Sequence, residues 1–383
     1  MYPALTTWLA LSEKLPDSLE TLWVGGEGGM EADLVKRAGI RFDAIPAAGV
    51  HGVGLKALPG NVRRLLRGYH AARAILNDFQ PDVLFFTGGF VAIPVAVAAA
   101  ARTAAHRKPA VLFVPDIEPA LALTALAFVS RKIAVVVEDS RRKFYTFLRK
   151  RLVVTGYPVR PDFKNVSREE ALQQLGLTAD LPVLLVSGGS KGARSLNRAL
   201  LQALPELLPS MQIIHLTGSL DWPEIQAKQE ELRGRETVAA WIERYHPFPY
   251  LHEMGAALAA ADLVVSRAGA SSLGEYPHFG LPAILVPYPF AWKYQKVNAA
   301  WLAERGAAQV LADEDLPGSL SQAVLSLIEN RGRLEAMRAA SKALAKPGAA
   351  NLIAELLIQT AQNHGLGAAP QGSNPPSITG SMQ

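Results

Sequence analysis

Residues 182–204 read PVLLVSGGSKGARSLNRALLQAL. The run from Pro182 to Ser187 is apolar with almost no polar alternation, as in a strand covered on both faces. Gly188-Gly189-Ser190-Lys191-Gly192-Ala193 interrupts it, and a helical apolar spacing follows from Ser195. Strand, glycine turn and helix together open an α/β unit. Glycines at such a turn let the backbone approach a ligand, and the free N–H groups of the helix start favour an anion. The spacing is neither G-x-x-x-x-G-K-[ST] nor G-x-G-x-x-G, so a P-loop NTPase and a dinucleotide oxidoreductase lose most of their support.

The same grammar recurs along the chain. Apolar runs at Thr21–Gly25, Asp82–Phe86, Ala110–Val114, Ile133–Val137, Leu152–Thr155, Val183–Ser187, Gln212–Leu216, Leu263–Ser266 and Ala283–Val286 are each followed by a turn and a helical pattern. That is more strands than one ordinary open sheet needs, so the expected fold is α/β with two Rossmann-like, doubly wound parallel-sheet domains. Gly156-Tyr157-Pro158 ends one strand and Pro161 blocks helix continuation, which sets the expected division at 1–160 and 161–364. The tail 365–383 is rich in Gly, Pro and Ser and reads as disordered.

The 383 residues are 49% hydrophobic and 19% charged, a globular balance. Cysteine is absent, which excludes disulfides, a thiol nucleophile and Cys-ligated metal, and the 8 histidines show no metal-ligand spacing. Charge is uneven. Residues 1–160 hold 21 Lys/Arg against 13 Asp/Glu, a balance of +8, and the remainder hold 18 against 21, a balance of −3. The first half therefore suits an anionic partner. The uncharged, largely apolar stretch of 19 residues from Val83 to Ala101 contains Gly88-Gly89 and Pro94 and reads as strand, turn and helix rather than a membrane span. No basic region precedes the first apolar residues, so a signal peptide is not expected.

Two further turns in the second half carry chemistry. Ser266-Arg267-Ala268-Gly269 follows a strand, with Glu275 expected one turn inside the next helix. A carboxylate there can accept from vicinal ribose hydroxyls, and Arg267 can pair with phosphate or with protein carboxylates. The segment PAILVPYPFAWKYQKVN at 282–298 places Gln295 and Asn298 at i and i+3, where amides suit sugar hydroxyls. Ligands of open α/β sheets bind at such strand ends, so the three turns together read as a nucleotide-sugar site with the phosphate at Gly189 and Gly192. In the first half, Gly88-Gly89-Phe90 is a similar turn. Asn61–Leu76 places Arg63, Arg67 and His70 on one helix beside Leu65, Leu66 and Tyr69, which fits either a membrane-surface helix or a packed helix with a solvated basic face. No nucleic-acid motif is evident.

With GGSKGARSLN at 188–197, SRAGASSLGE at 266–275 and PAILVPYPFAWKYQKVNA at 282–299, the chain resembles the MurG family from Tyr2 to about Leu356. Weaker matches are YPAL at 2–5, the 88–94 turn and GYPVR at 156–160, where the family usually has GNPVR. The resemblance implies a GT-B fold with a cleft between the domains. It implies an inverting, metal-independent transferase that moves GlcNAc from UDP-GlcNAc to undecaprenyl-pyrophosphoryl-MurNAc-pentapeptide (lipid I) to give lipid II, peripheral on the cytoplasmic face of the bacterial membrane. No cofactor is expected. By the same resemblance Ser190 and its turn hold the diphosphate, Leu251 lies at the uracil, Glu275 takes the ribose, Gln295 takes the GlcNAc hydroxyls and Arg160 belongs to the donor site. Gly88 and Gly89 are assigned to the acceptor.

Two departures bear on activity. Family members have a strand and a GGTGGH loop immediately before YPAL, and here Met1-Tyr2 stands in that place. A valine codon read as the initiator at Met1 would account for this, and the missing loop is then expected just upstream. The family's HEQN is replaced by Phe113-Val114-Pro115-Asp116, which leaves Asp116 and then Glu118 as the nearest surviving carboxylates by sequence and the candidates for the base. Two alternatives stay open: a related transferase with another lipid acceptor, and a non-catalytic nucleotide-sugar-binding protein.

Overall fold

The computed structural model describes residues 1–29, 31–47, 58–102, 107–163, 166–189, 192–290 and 294–365. Its strands are β1 Leu22–Gly26, β2 Arg41–Ile45, β3 Leu84–Phe86, β4 Ala110–Val114, β5 Lys132–Val135 and β6 Leu152–Val154 in the first half. The second half holds β7 Val183–Ser187, β8 Gln212–Leu216, β9 Tyr245–Phe248, β10 Leu263–Ser266, β11 Ala283–Leu285 and β12 Ala308–Val310. Every described pairing is parallel. The second half forms one six-stranded sheet in the order β12-β11-β10-β7-β8-β9. The first half is divided between β1-β2 and a four-stranded sheet β3-β4-β5-β6, with no described strand joining them.

Four of the apolar runs coincide with strands residue for residue: β4, β7, β8 and β10. The strands that the runs missed are β2, β9 and β12, and all three are sheet edges. An edge strand needs no continuous apolar sequence, because one flank faces solvent; β9 even tolerates Pro247.

Alternation along the buried strands sorts side chains into layers. In β7, Val183 and Leu185 enter one cluster while Leu184 and Val186 enter another, packed under the helix Arg194–Leu207. In β4, Val111 and Phe113 join Val183 and Leu185, whereas Leu112 and Val114 face a separate first-half core with Ile133 and Leu148. Each sheet therefore has its own outer core, and both contribute to one inner core between the halves. Burying an aromatic such as Phe113 there stabilises by roughly 3–5 kcal/mol relative to alanine.

The chain crosses between the halves twice. The first crossing is Gly156 to Val159; Gly156 has φ +88, and a Cβ there would lie 2.5 Å from Lys346 Cβ. The helix Arg168–Gln174 beyond it opens with a capping box, Ser167 Oγ accepting from Glu170 N–H and Glu170 accepting from Ser167 N–H. The second crossing leads into the helix Ala349–Gly365, which packs on the helix Tyr2–Lys14 and on β4 and β5, with Lys14 Nζ 2.9 Å from Glu355 Oε1. The expected tail lies outside the described residues from 366 onward.

Candidate functional site

In the six-stranded sheet the strand order reverses between β7 and β10, so the turns after these strands flank the switch point where α/β sheets bind ligands. After β7, Gly189 and Gly192 have φ +84 and +78. At Gly192 the demand is double, since a Cβ would lie 2.3 Å from Thr217 O. Ser190 lies outside the described residues. The loop's own amides are turned inward: Gly189 N–H donates to Ser187 Oγ and Gly192 N–H to Gly189 O. These two amides are thus satisfied within the loop, while the first turn of the helix Arg194–Leu207 leaves its N–H groups without intrahelical partners. No side chain caps that helix, and its first bond is Asn197 N–H to Ala193 O at 2.9 Å.

A buried polar network that motif reading missed holds this helix start. Arg194 Nε pairs with Asp221 Oδ1 at 3.0 Å. Asn197 Nδ2 donates to Thr217 O and to Asp221 Oδ2, which leaves Asn197 Oδ1 facing His215 Nε2 at 3.0 Å. An amide oxygen only accepts, so His215 carries its proton on Nε2 and accepts the Tyr245 hydroxyl at Nδ1, 2.7 Å away. Complete burial pushes the His215 pKa down to about 3, and the neutral ring keeps this arrangement throughout the neutral range.

After β10, Arg267 is nearly buried and committed to protein. It pairs with Asp313 at 2.6 Å, donates to Val286 O at 3.1 Å and donates to Ser195 Oγ at 2.7 Å. Of its two anticipated partners, the carboxylate is the one the structure supplies. Through Ser195 the guanidinium braces the start of the helix Arg194–Leu207. Gly269 has ordinary backbone angles, and a Cβ there would meet open space. A 3-10 turn at Ala270–Leu273 intervenes before the helix Glu275–Phe279, so Glu275 is its first residue rather than one turn inside. Desolvation pushes the Glu275 pKa up to about 7 against the opposing pull of Arg160 and a hydrogen bond from Ser271. Arg160 comes from the first crossing and stacks over Tyr2 and Phe163 at 4.7 and 4.5 Å, its buried Nε without a hydrogen-bond partner. Tyr250, next to the half-buried Leu251, meets Tyr2 through their hydroxyls at 3.4 Å.

The third turn separates its two amides. Gln295 is half exposed, its Oε1 accepting from Tyr288 N–H at 2.8 Å. Asn298 is fully buried. Its Nδ2 donates to Asp116 Oδ1 at 2.8 Å and to Ala268 O at 3.2 Å, and its Oδ1 accepts from Ile117 N–H at 3.3 Å. The amide expected to meet the sugar is thus spent on joining the two halves beside Asp116. Burial raises the Asp116 pKa and the Asn298 bond partly offsets this. Glu118 pairs with Lys143 at 3.0 Å, and Asp139 binds both Trp301 Nε1 and Arg305 across the halves at 2.9 Å. In the first half, Gly88 and Gly89 turn the chain at the end of β3 with φ +106 and +86. Among the described residues no cluster of His, Asp or Glu is placed to hold a metal ion.

Residues 2–106 match the Glycosyltransferase family 28 N-terminal domain, and residues 183–353 match the Glycosyltransferase family 28 C-terminal domain. A protein of Roseiflexus sp. (strain RS-1), called UDP-N-acetylglucosamine–N-acetylmuramyl-(pentapeptide) pyrophosphoryl-undecaprenol N-acetylglucosamine transferase, is 41% identical over 88% of this chain and 82% of its own length. A protein of the same name from Desulforudis audaxviator is 39% identical over 93% of this chain and 94% of its own length. Among solved structures, Acinetobacter baumannii MurG superposes with a TM-score of 0.69 at 24% identity, covering 94% of this chain and 95% of that one. The UDP-GlcNAc 2-epimerase of Neisseria meningitidis reaches 0.64 at 13% identity, covering 94% and 96%.

Proposed function

The chain belongs to the MurG family of family 28 glycosyltransferases, and from that membership we propose that it transfers GlcNAc from UDP-GlcNAc to lipid I to form lipid II. The observation that carries the reading is the pairing, at one switch point, of an uncapped helix start with a carboxylate poised near neutrality.

In this proposal the diphosphate rests on the first-turn amides of the Arg194 helix, with Gly189 and Gly192 shaping the approach, and by family resemblance Ser190 also holds it. Glu275 accepts from the ribose hydroxyls while Arg160 and Leu251 border the base, and Gln295 meets the sugar. Gly269 leaves room for the donor, and Gly88 and Gly89 face the acceptor. Arg267 and Asn298 act one step back, the first bracing Ser195 and the second holding Asp116.

Asp116 keeps Oδ2 for the acceptor's 4-hydroxyl proton, since Asn298 occupies Oδ1. As that proton leaves, the hydroxyl oxygen attacks the anomeric carbon from the face opposite the diphosphate. The bond from carbon to diphosphate oxygen breaks, and the configuration inverts. A carboxyl with a raised pKa is a better base near neutral pH than an exposed one. Negative charge developing on UDP is met by helix-start N–H groups and the helix dipole, so the step is proposed to need no metal or other cofactor.

We also propose peripheral attachment to the anionic cytoplasmic leaflet. In the helix Leu58–Phe79, Val62 and Leu66 are exposed beside the exposed Arg63, Arg67 and His70. Phe128, Tyr145 and Phe147 form a second exposed aromatic group near Arg149 and Lys150. Such surfaces suit lipid headgroups and the acyl boundary. No described helix is long and apolar enough to cross a membrane. Nucleic acid is not among the proposed partners.

The test is transfer of labelled GlcNAc from UDP-GlcNAc to a lipid I analogue by the purified protein. Tight UDP-GlcNAc binding without turnover would refute the reading. Transfer only to a different glycolipid would instead favour the other-acceptor alternative that the Phe113–Asp116 segment allows.

A further inference from the structure

Behind the donor site, where the chain crosses twice between the halves, lies a cavity of about 640 Å³. Val137 and Tyr157 of the first half and Leu273, Trp301 and Leu344 of the second give it apolar walls. Its size falls within the range of small-molecule sites, roughly 300–1,000 Å³.

Its charges are unbalanced. Of the two lining carboxylates, Glu138 pairs with Arg141, and Asp139 pairs with Arg305 while accepting Trp301 Nε1–H. Lys342 donates to His278 O, and neither Lys342 nor Lys346 is paired with a described carboxylate. An apolar chamber whose two lysines no described carboxylate neutralises matches an amphipathic anion.

Tyr157 separates this chamber from the donor site. It lines the cavity, yet its hydroxyl titration is governed, beyond burial, by Glu275, Asp116 and Arg160 on its other side. A Cβ at Gly274 would lie 2.6 Å from Tyr157 Cβ, so the ring abuts the backbone that carries Glu275. An occupant that displaces Tyr157 must therefore displace Gly274 or the inner core.

We propose that this inter-half cavity binds an organic anion with a flat apolar body, and that its occupancy inhibits transfer without competing with the donor. The coupling runs through a physical contact, Tyr157 against Gly274, between the two sites. The inhibition half rests on the transferase reading; the binding half does not, so failure of one is distinguishable from failure of the other.

The probe is anilinonaphthalene sulfonate, titrated by fluorescence into the full chain with saturating UDP present to fill the donor site. Retained binding is expected, together with inhibition of GlcNAc transfer that excess UDP-GlcNAc does not relieve. Ala345→Trp, on the cavity wall, should abolish the UDP-insensitive binding. The surface pair Lys342→Glu with Lys346→Glu, which spares the apolar walls, should weaken it by about tenfold or more. Thermal melting checks that both variants fold. Displacement of the probe by UDP, binding indifferent to the lysine pair, or inhibition relieved by donor would each overturn the proposal.

Discussion

The two halves use one layer plan to different ends. The second half closes six strands into one sheet and buries β7, β8 and β10 completely. Its site is made from backbone, glycines and polar groups held below the surface: Asp221, Asn197 and His215 on one side, Arg267 and Asp313 on the other. The first half divides its strands between two sheets, leaves β1 and β2 only partly covered, and presents Leu66, Tyr145 and Phe147 to solvent among cations. A small, rigid, charged donor is best met by preorganised amides, because fixed dipoles need no rearrangement when charge develops. A lipid-borne acceptor is best met by a surface.

Asp116→Asn tests the seam between the halves and should have the largest effect. The expected loss is about 10²–10⁴-fold in kcat. The KM for UDP-GlcNAc should stay near its original value, because asparagine can still meet the Asn298 amide. A KM defect of equal size would make Asp116 a structural link only.

A matched glycine pair comes next. At Gly192 an alanine meets both positive φ and Thr217 O, whereas at Gly89 it meets positive φ alone, with nothing within 4 Å. Gly192→Ala should therefore cost several kcal/mol in turnover or melting, and Gly89→Ala about 1–2 kcal/mol. Equal losses would break the contrast between a preorganised half and a permissive one.

Glu275→Gln should lower kcat/KM for UDP-GlcNAc by roughly 10–100-fold through lost charged hydrogen bonds. In the parent protein kcat/KM should also fall as pH drops through about 7, where this carboxylate protonates. Stability moves oppositely. Folding raises the pKa from 4.5 to about 7, so ionisation opposes folding fully above about pH 7 and not at all below 4.5. Urea melts should show the glutamine variant more stable by up to roughly 3 kcal/mol at pH 8, with that gain fading towards pH 4.5.

Arg63→Glu with Arg67→Glu should weaken binding to anionic vesicles by about 1 kcal/mol per charge removed or more, while sparing kcat on a water-soluble acceptor analogue. A changed kcat would place that helix in the site. The smallest effect expected is from metal chelation: EDTA should leave the initial rate unchanged, and a loss restored by a divalent cation would overturn catalysis by amides alone.

Buried central strands were more legible in the sequence than the sheet edges, in both halves. Strands β7, β8 and β10 announce themselves because both faces are buried, so apolar residues dominate them. The edges β2, β9 and β12 stayed hidden for the converse reason. Within the site, the glycine turns and the short helix at Glu275 were readable from residue types at strand ends. The roles of Arg267 and Asn298 were not, because one guanidinium or amide serves a phosphate, a sugar or a protein group equally well. His215, Tyr245, Asp221 and Asp313 had no motif at all; they are brought together from positions up to 118 residues apart, as in Ser195 with Asp313.

By itself, then, the sequence determined two α/β units, the glycine turns at their strand ends, the charge asymmetry between them and the family to which those motifs belong. Periodicity and residue chemistry are local properties and survive in one dimension. Only the tertiary structure decided which polar groups were already satisfied. It showed that Asn298 is used up at the seam, that Arg267 braces a helix, and that the amides of Gly189 and Gly192 are satisfied within their own loop. It also showed that Glu275 is sufficiently dehydrated to titrate near 7. Desolvation and hydrogen-bond satisfaction depend on what is packed alongside, and no spacing along the chain encodes that.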